Sequence, residues 1–166
     1  PDFLLRATAT GGIADSLGGT TAARLAETTA TGAHGTQRDP LPRPAGNNYA
    51  LILKCKAFGT TSGVRLQVFS SDYGQEVSAR FLFASGGTID SPDANGSTVI
   101  TNTTFEVINE GNVWRTMIVF FTVPVVGSFF PYFNLRNSAG LLNYAGTITD
   151  GIDSESYRLI DMDQVI

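Results

Sequence analysis

The sequence predicts an all-β fold, a sandwich of two antiparallel sheets with about ten strands. Three observations carry that expectation. Turn signals recur at short intervals, among them TGG at 10–12, GTTSG at 59–63, SDYG at 71–74, SGG at 85–87, DANG at 93–96 and NSAG at 137–140. The runs between them are rich in Val, Ile, Phe, Thr and Leu, which suit a pleated, half-buried surface. Several of those runs alternate apolar and polar residues with period two, the pattern of a strand with one buried face.

The strands are expected at 3–9, 21–27, 49–58, 64–70, 77–84, 98–101, 104–109, 113–123, 129–136 and 156–165. In 49–58, Tyr49, Leu51, Leu53, Cys55 and Ala57 share one face, and Lys54 and Lys56 share the other. In 64–69, Val64, Leu66 and Val68 oppose Arg65 and Gln67. In 77–83, Val77, Ala79, Phe81 and Phe83 oppose Ser78 and Arg80. In 130–136, Phe133 and Leu135 oppose Tyr132, Asn134 and Arg136. Residues 31–48 hold three of the seven prolines and read as a loop. The best helical window, 20–30, is weakened by its threonines and flanking glycines.

The chain of 166 residues fits one domain, 1–166, with no internal repeat. Pro1 in place of Met predicts a piece of a longer chain. Charged residues make up 16% of it, below the ~25% usual for globular domains, and the net charge is −4. No Lys/Arg cluster offsets that charge, so nucleic acid is not an expected partner. A membrane span is not expected either. The apolar run 117–127 is about half of the ~20 residues a spanning helix needs, and Thr122 and Pro124 interrupt it. It reads as a core strand that Pro124 ends. Cys55, the single cysteine, reads as a small core residue.

Motifs for catalysis are lacking. His34 is the one histidine and lies in a Gly-rich loop, no GxSxG elbow is present, and no glutamate stands in a distinctive motif. The chain is therefore not expected to be an enzyme. No cofactor is expected; the candidate calcium ligands are Asp90, Asp93 and Asn95 in DSPDANG, whose spacing departs from the D-x-D-x-D-G loop and whose residue types also form turns. Asp150, Asp153 and Glu155 form a second acidic group before the last strand, which carries Asp161 and Asp163.

The polar faces of the strands suggest a ligand platform. Amphipathic aromatic rings stack on sugars while Arg, Asn and Gln bond hydroxyls. If 113–123 and 129–136 form a hairpin, Trp114 and Tyr132 belong to one strand pair. The expected binding residues are Trp114 and Tyr132 for stacking, with Arg115, Arg136, Gln67 and Lys54 as hydrogen-bond donors.

A series of segments carries a family resemblance: TTAARLAETTATGAHG at 20–35, YALILKCKAF at 49–58, SGGTID at 85–90, NVWRTMIVFF at 112–121 and NYAGTITDGIDSESYRLIDMDQVI at 143–166. Their order resembles that of carbohydrate-binding-module-like β-sandwich domains of bacteriophage tail and virion proteins. The final segment departs from the family pattern, because YRLIDMDQV lacks its tryptophan. His34, Trp114, Arg115, Tyr144 and Tyr157 match motif positions. The resemblance implies a jelly-roll sandwich, extracellular or on a virion, that holds a polysaccharide or cell-surface glycan. A decoration module bound to other capsid or tail proteins is the alternative it leaves open.

Overall fold

The computed structural model describes residues 2–38, 41–43, 45–70, 75–84, 89–94, 100–110 and 113–164. The expected turns at 71–74 and 85–87 and the candidate ligand Asn95 lie outside them. The strands in chain order begin with β1 (Asp2–Leu5), β2 (Ala7–Ile13), β3 (Ala22–Glu27), β4 (Thr31–Gly32) and β5 (Gly35–Arg38). They continue with β6 (Leu41–Arg43), β7 (Asn47–Phe58), β8 (Gly63–Ser70), β9 (Gln75–Leu82) and β10 (Ile89–Ala94). The last are β11 (Thr101–Asn109), β12 (Arg115–Val123), β13 (Gly127–Arg136), β14 (Tyr144–Ala145) and β15 (Gly151–Asp161).

These strands form two main sheets. The front sheet runs β1-β5-β13-β8-β9-β10, with β6 also on β13; the back sheet runs β11-β12-β7-β15-β3-β2. The inner four of the front sheet are β5-β13-β8-β9, and those of the back sheet are β12-β7-β15-β3. The chain passes between these two sets repeatedly, which is the double Greek key of a jelly roll. Every pairing is antiparallel.

The period-two pattern fills the space between the sheets. Tyr49, Leu51, Leu53 and Cys55 of β7 and Met117, Val119, Phe121 and Val123 of β12 point in from the back. Val64, Leu66 and Val68 of β8, Ala79 and Phe81 of β9, and Phe129, Phe133 and Leu135 of β13 meet them from the front. Burial pushes the Cys55 thiol pKa well above its ordinary value, so it packs as an inert core group.

Several expectations change. The strand expected at 3–9 breaks at Arg6, whose φ of 46° is left-handed and costly for a non-glycine residue. The loop expected at 31–48 contains β4, β5 and β6. The strand expected at 21–27 is present as β3, inside the weak helical window 20–30. DSPDANG begins as strand β10, an edge strand, where Pro92 is tolerated because its missing N–H can face away from β9. Only the backbone of Asp90 and Asp93 is described there. The strands β12 and β13 follow one another but lie in opposite sheets, so they form no hairpin and Trp114 and Tyr132 share no strand pair. No helix among the described residues is long and apolar enough to cross a membrane.

The alternation of β7 is testable by neighbouring substitutions. Leu53 is fully buried, and Lys54 lies outward between Glu155 and Glu110. Leu53→Ala is expected to cost about 2–5 kcal/mol in urea unfolding. Lys54→Ala is expected to cost under about 1 kcal/mol, as a partly exposed ion pair should. Equal losses would contradict the assignment of faces.

Candidate functional site

Antiparallel register builds rows across the outer face of the front sheet. Phe130 of β13 sits opposite Phe69 of β8, which sits opposite Glu76 of β9. The next row is Gln37, Tyr132, Gln67 and Ser78. The third joins Asn134, Arg65 and Arg80. Directly opposed residues in such a pair lie close enough for their side chains to interact. Gly35 opposes Asn134 and lets β5 approach β13 closely, because an added Cβ would clash with the Phe133 carbonyl. Over the rows opens a cleft of about 550 Å³, with Ala33, Leu142 and Asn143 at its margin.

The cleft mixes aromatic and polar walls. Phe69 and Phe130 pair at a centroid distance of 6.3 Å with a tilt of 42°. Glu76 is the electrostatic centre. Its Oε1 accepts from Arg65 Nη2 at 2.9 Å, its Oε2 accepts a short bond from Gln67 Nε2, and it also bonds the Tyr132 hydroxyl. Arg65 Nη2 donates to Ser78 Oγ as well, at 2.9 Å. Burial, and then the negative charge of Glu76, push the Tyr132 phenol up to about 12.

This network decides which way Gln67 faces. A carboxylate only accepts, so the Gln67 amide must turn its NH₂ to Glu76. Its carbonyl Oε1 is left buried with no hydrogen-bond partner among the described residues, and Asn134 Oδ1 is in the same position. Gln67 is 3% exposed and Asn134 6% exposed, and both line the cleft. Buried acceptors without a partner cost free energy, on the order of 1–3 kcal/mol each. A hydroxyl donor that reached either oxygen would relieve that cost.

The six expected binding residues do not assemble. Gln67 and Tyr132 meet in the front cleft. Lys54 lies on the back sheet, 3.2 Å from Glu155 and 3.9 Å from Glu110. Trp114 is 3% exposed, so it offers no open face for stacking; the Lys56 ammonium lies 5.0 Å from its ring centroid. Arg115 donates to the Trp114 carbonyl at 2.8 Å and lines a different cleft. Arg136 is buried and donates from Nε to Gly140 O at 2.9 Å, closing the turn after β13. Glu76, Asn134, Gln37, Phe69 and Phe130 join the cleft without having been expected there as ligand contacts. Parity was the available signal for Glu76, Asn134, Phe69 and Phe130, which share an outward face with Ser78, Tyr132 or Gln67; Gln37 fell in the stretch read as a loop.

The other motif positions are structural. His34 is fully buried, with Nδ1 2.8 Å from Arg6 O and Nε2 3.2 Å from Tyr144 O. The Tyr144 hydroxyl donates to buried Glu27, which also accepts from Thr147 N at 3.1 Å. Tyr157 packs edge-on against Phe133, with centroids 5.1 Å apart. The acids of the last segment are spent locally: Asp150 on Thr60, Asp153 on Arg24, Glu155 on Ser16 and Lys54, Asp161 on Asn47, Asp163 on Asn48. Among the described residues no group of three or more His, Cys, Asp or Glu side chains could hold a metal ion. No protein-family model matches the chain, and no curated protein matches it.

The raised Tyr132 pKa gives a pH prediction. The fold favours the neutral phenol, so its contribution to stability is complete below the unfolded value of 10 and is lost as pH rises through about 12. Between pH 10 and 12 the urea midpoint of the wild type should fall more steeply than that of Tyr132→Phe. Parallel curves would mean that Tyr132 is solvated and unconstrained.

Proposed function

We propose that this domain is a non-catalytic carbohydrate-binding module whose glycan lies in the front cleft. The observation that carries the reading is the pairing of aromatic rings with buried, unpartnered amide acceptors in one shallow cleft. Sugar rings present both matching features, an apolar C–H face and hydroxyl donors. Phe69, Phe130 and Tyr132 supply apolar surface. Gln67 Oε1 and Asn134 Oδ1 accept from hydroxyls, and Arg65 and Gln37 donate to them. The network on Glu76 holds Arg65, Gln67 and Tyr132 in place before the ligand arrives, which lowers the ordering cost of binding.

Binding is favoured over hydrolysis by the carboxyl count. Glu76 is the one carboxylate that lines the cleft among the described residues. Glycoside hydrolysis commonly takes two carboxyls flanking the bond. The order of motif segments adds the setting in this proposal, an adhesion module carried on a phage virion or tail protein and directed at a cell-surface glycan.

A glycan array with the isolated domain, followed by calorimetry on the best ligand, tests the reading. Tyr132→Ala and Gln67→Ala should each weaken binding about tenfold or more, the scale expected for central contacts. Trp114→Phe should leave affinity within about twofold, because Trp114 is buried away from the cleft. No array signal above background, or unchanged affinity in Tyr132→Ala, would sink the proposal.

A further inference from the structure

A second cleft, of about 760 Å³, opens beside the C-terminal end of β7 and carries opposite chemistry from the chain as a whole. Among the described residues its charged lining is Arg24, Lys56, Arg115 and Asp153, three cations against one carboxylate, in a chain of net charge −4. Asp153 is 2% exposed and bonds Arg24 in a fork, Nε to Oδ1 at 2.7 Å and Nη2 to Oδ2 at 3.1 Å. Lys56 Nζ lies 3.5 Å from the same Oδ2. One carboxylate therefore serves two cations and neutralises only one.

The cations are held in place by rings. The Arg24 guanidinium carbon sits 3.6 Å from the Phe58 ring centroid, and Lys56 sits over Trp114. The fork uses Nε and Nη2 of Arg24, and among the described residues its Nη1 makes no hydrogen bond. The Lys56 ammonium has three N–H donors and, among the described residues, one carboxylate oxygen within ion-pair range, at 3.5 Å. A third donor comes from the loop after β7. Thr61 is 4% exposed, lines the cleft, and its hydroxyl finds no partner among the described residues.

We infer that this cleft binds an oxyanion, a carboxylate or sulfate group, through Arg24, Lys56 and the Thr61 hydroxyl. A guanidinium and an ammonium beside a hydroxyl match such groups in charge and in donor number. The group can arrive on an acidic saccharide or as the free anion, and the chemistry of capture is the same. The inference is independent of glycan binding in the front cleft.

Nuclear magnetic resonance titration of the full chain tests it, at ionic strength fixed with NaCl. Sodium glucuronate, sodium sulfate and glucose are added separately. Either anion should shift the amides of Arg24, Lys56 and Thr61 saturably, and glucose should not. Tighter binding of glucuronate than sulfate would assign the site to a saccharide acid; equal or tighter sulfate would assign it to the oxyanion alone. Lys56→Gln leaves the Arg24–Asp153 fork in place and should weaken binding at least fivefold, with Lys56→Arg restoring it. Thr61→Val removes only the hydroxyl and should weaken binding about threefold or more. Absence of saturable shifts with both anions, or full affinity in Lys56→Gln and Thr61→Val, would overturn the inference. The amides of Gln67 and Tyr132 report the front cleft separately in the same spectra.

Discussion

Every inner strand of this sandwich must bury one of its faces, and that constraint orders the rest of the molecule. Leu51, Leu53, Leu66, Phe81, Met117, Phe133 and Leu135 occupy inward positions and are almost fully buried. A slip of one residue in any of these strands would turn its apolar set out to water. The inner faces thus lock the register, and the locked register chooses neighbours on the outer faces. Tyr132 lies between Gln37 and Gln67 because Phe133 must lie between Thr36 and Leu66.

The front cleft follows from that placement. Arg65 and Gln67 of β8 and Tyr132 of β13 converge on the Glu76 carboxylate of β9, and Ser78 accepts from Arg65. A carboxylate partly removed from water is tolerable only with donors around it, and here a guanidinium, an amide and a phenol supply them. The consequence is a rigid arrangement with acceptors left over at Gln67 and Asn134. An ordinary solvated sheet face would leave such groups in water. The Lys54 ammonium on the outer face of the back sheet, by contrast, is paired with Glu155.

Much of the fold was legible in the residues themselves. Alternation in 49–58, 64–69 and 130–136 named the buried faces, and Pro124 marked a strand end. Sheet membership was not legible, because it depends on which distant strand supplies a partner. Lys54 and Gln67 both read as outward polar residues, and they lie on opposite sides of the molecule. Trp114 read as a stacking ring beside Arg115, yet it is buried under Lys56. Short strands were missed where turn-forming residues dominate, as in β5, β6 and β10; pairing with β13 or β9 overrides weak local preference there. Glu76 carries no motif; parity puts it on the outward face with Ser78, and only three-dimensional convergence shows what gathers around it.

The central claim is that the front cleft holds sugar hydroxyls against the Gln67 carboxamide. The side-chain NH₂ resonances of Gln67, followed during titration with the oligosaccharide that binds best, address it directly. The account predicts a saturable shift of those resonances and of the Asn134 carboxamide, with the Tyr132 ring signals moving at the same midpoint. Saturable binding that leaves the Gln67 and Asn134 resonances in place would contradict it.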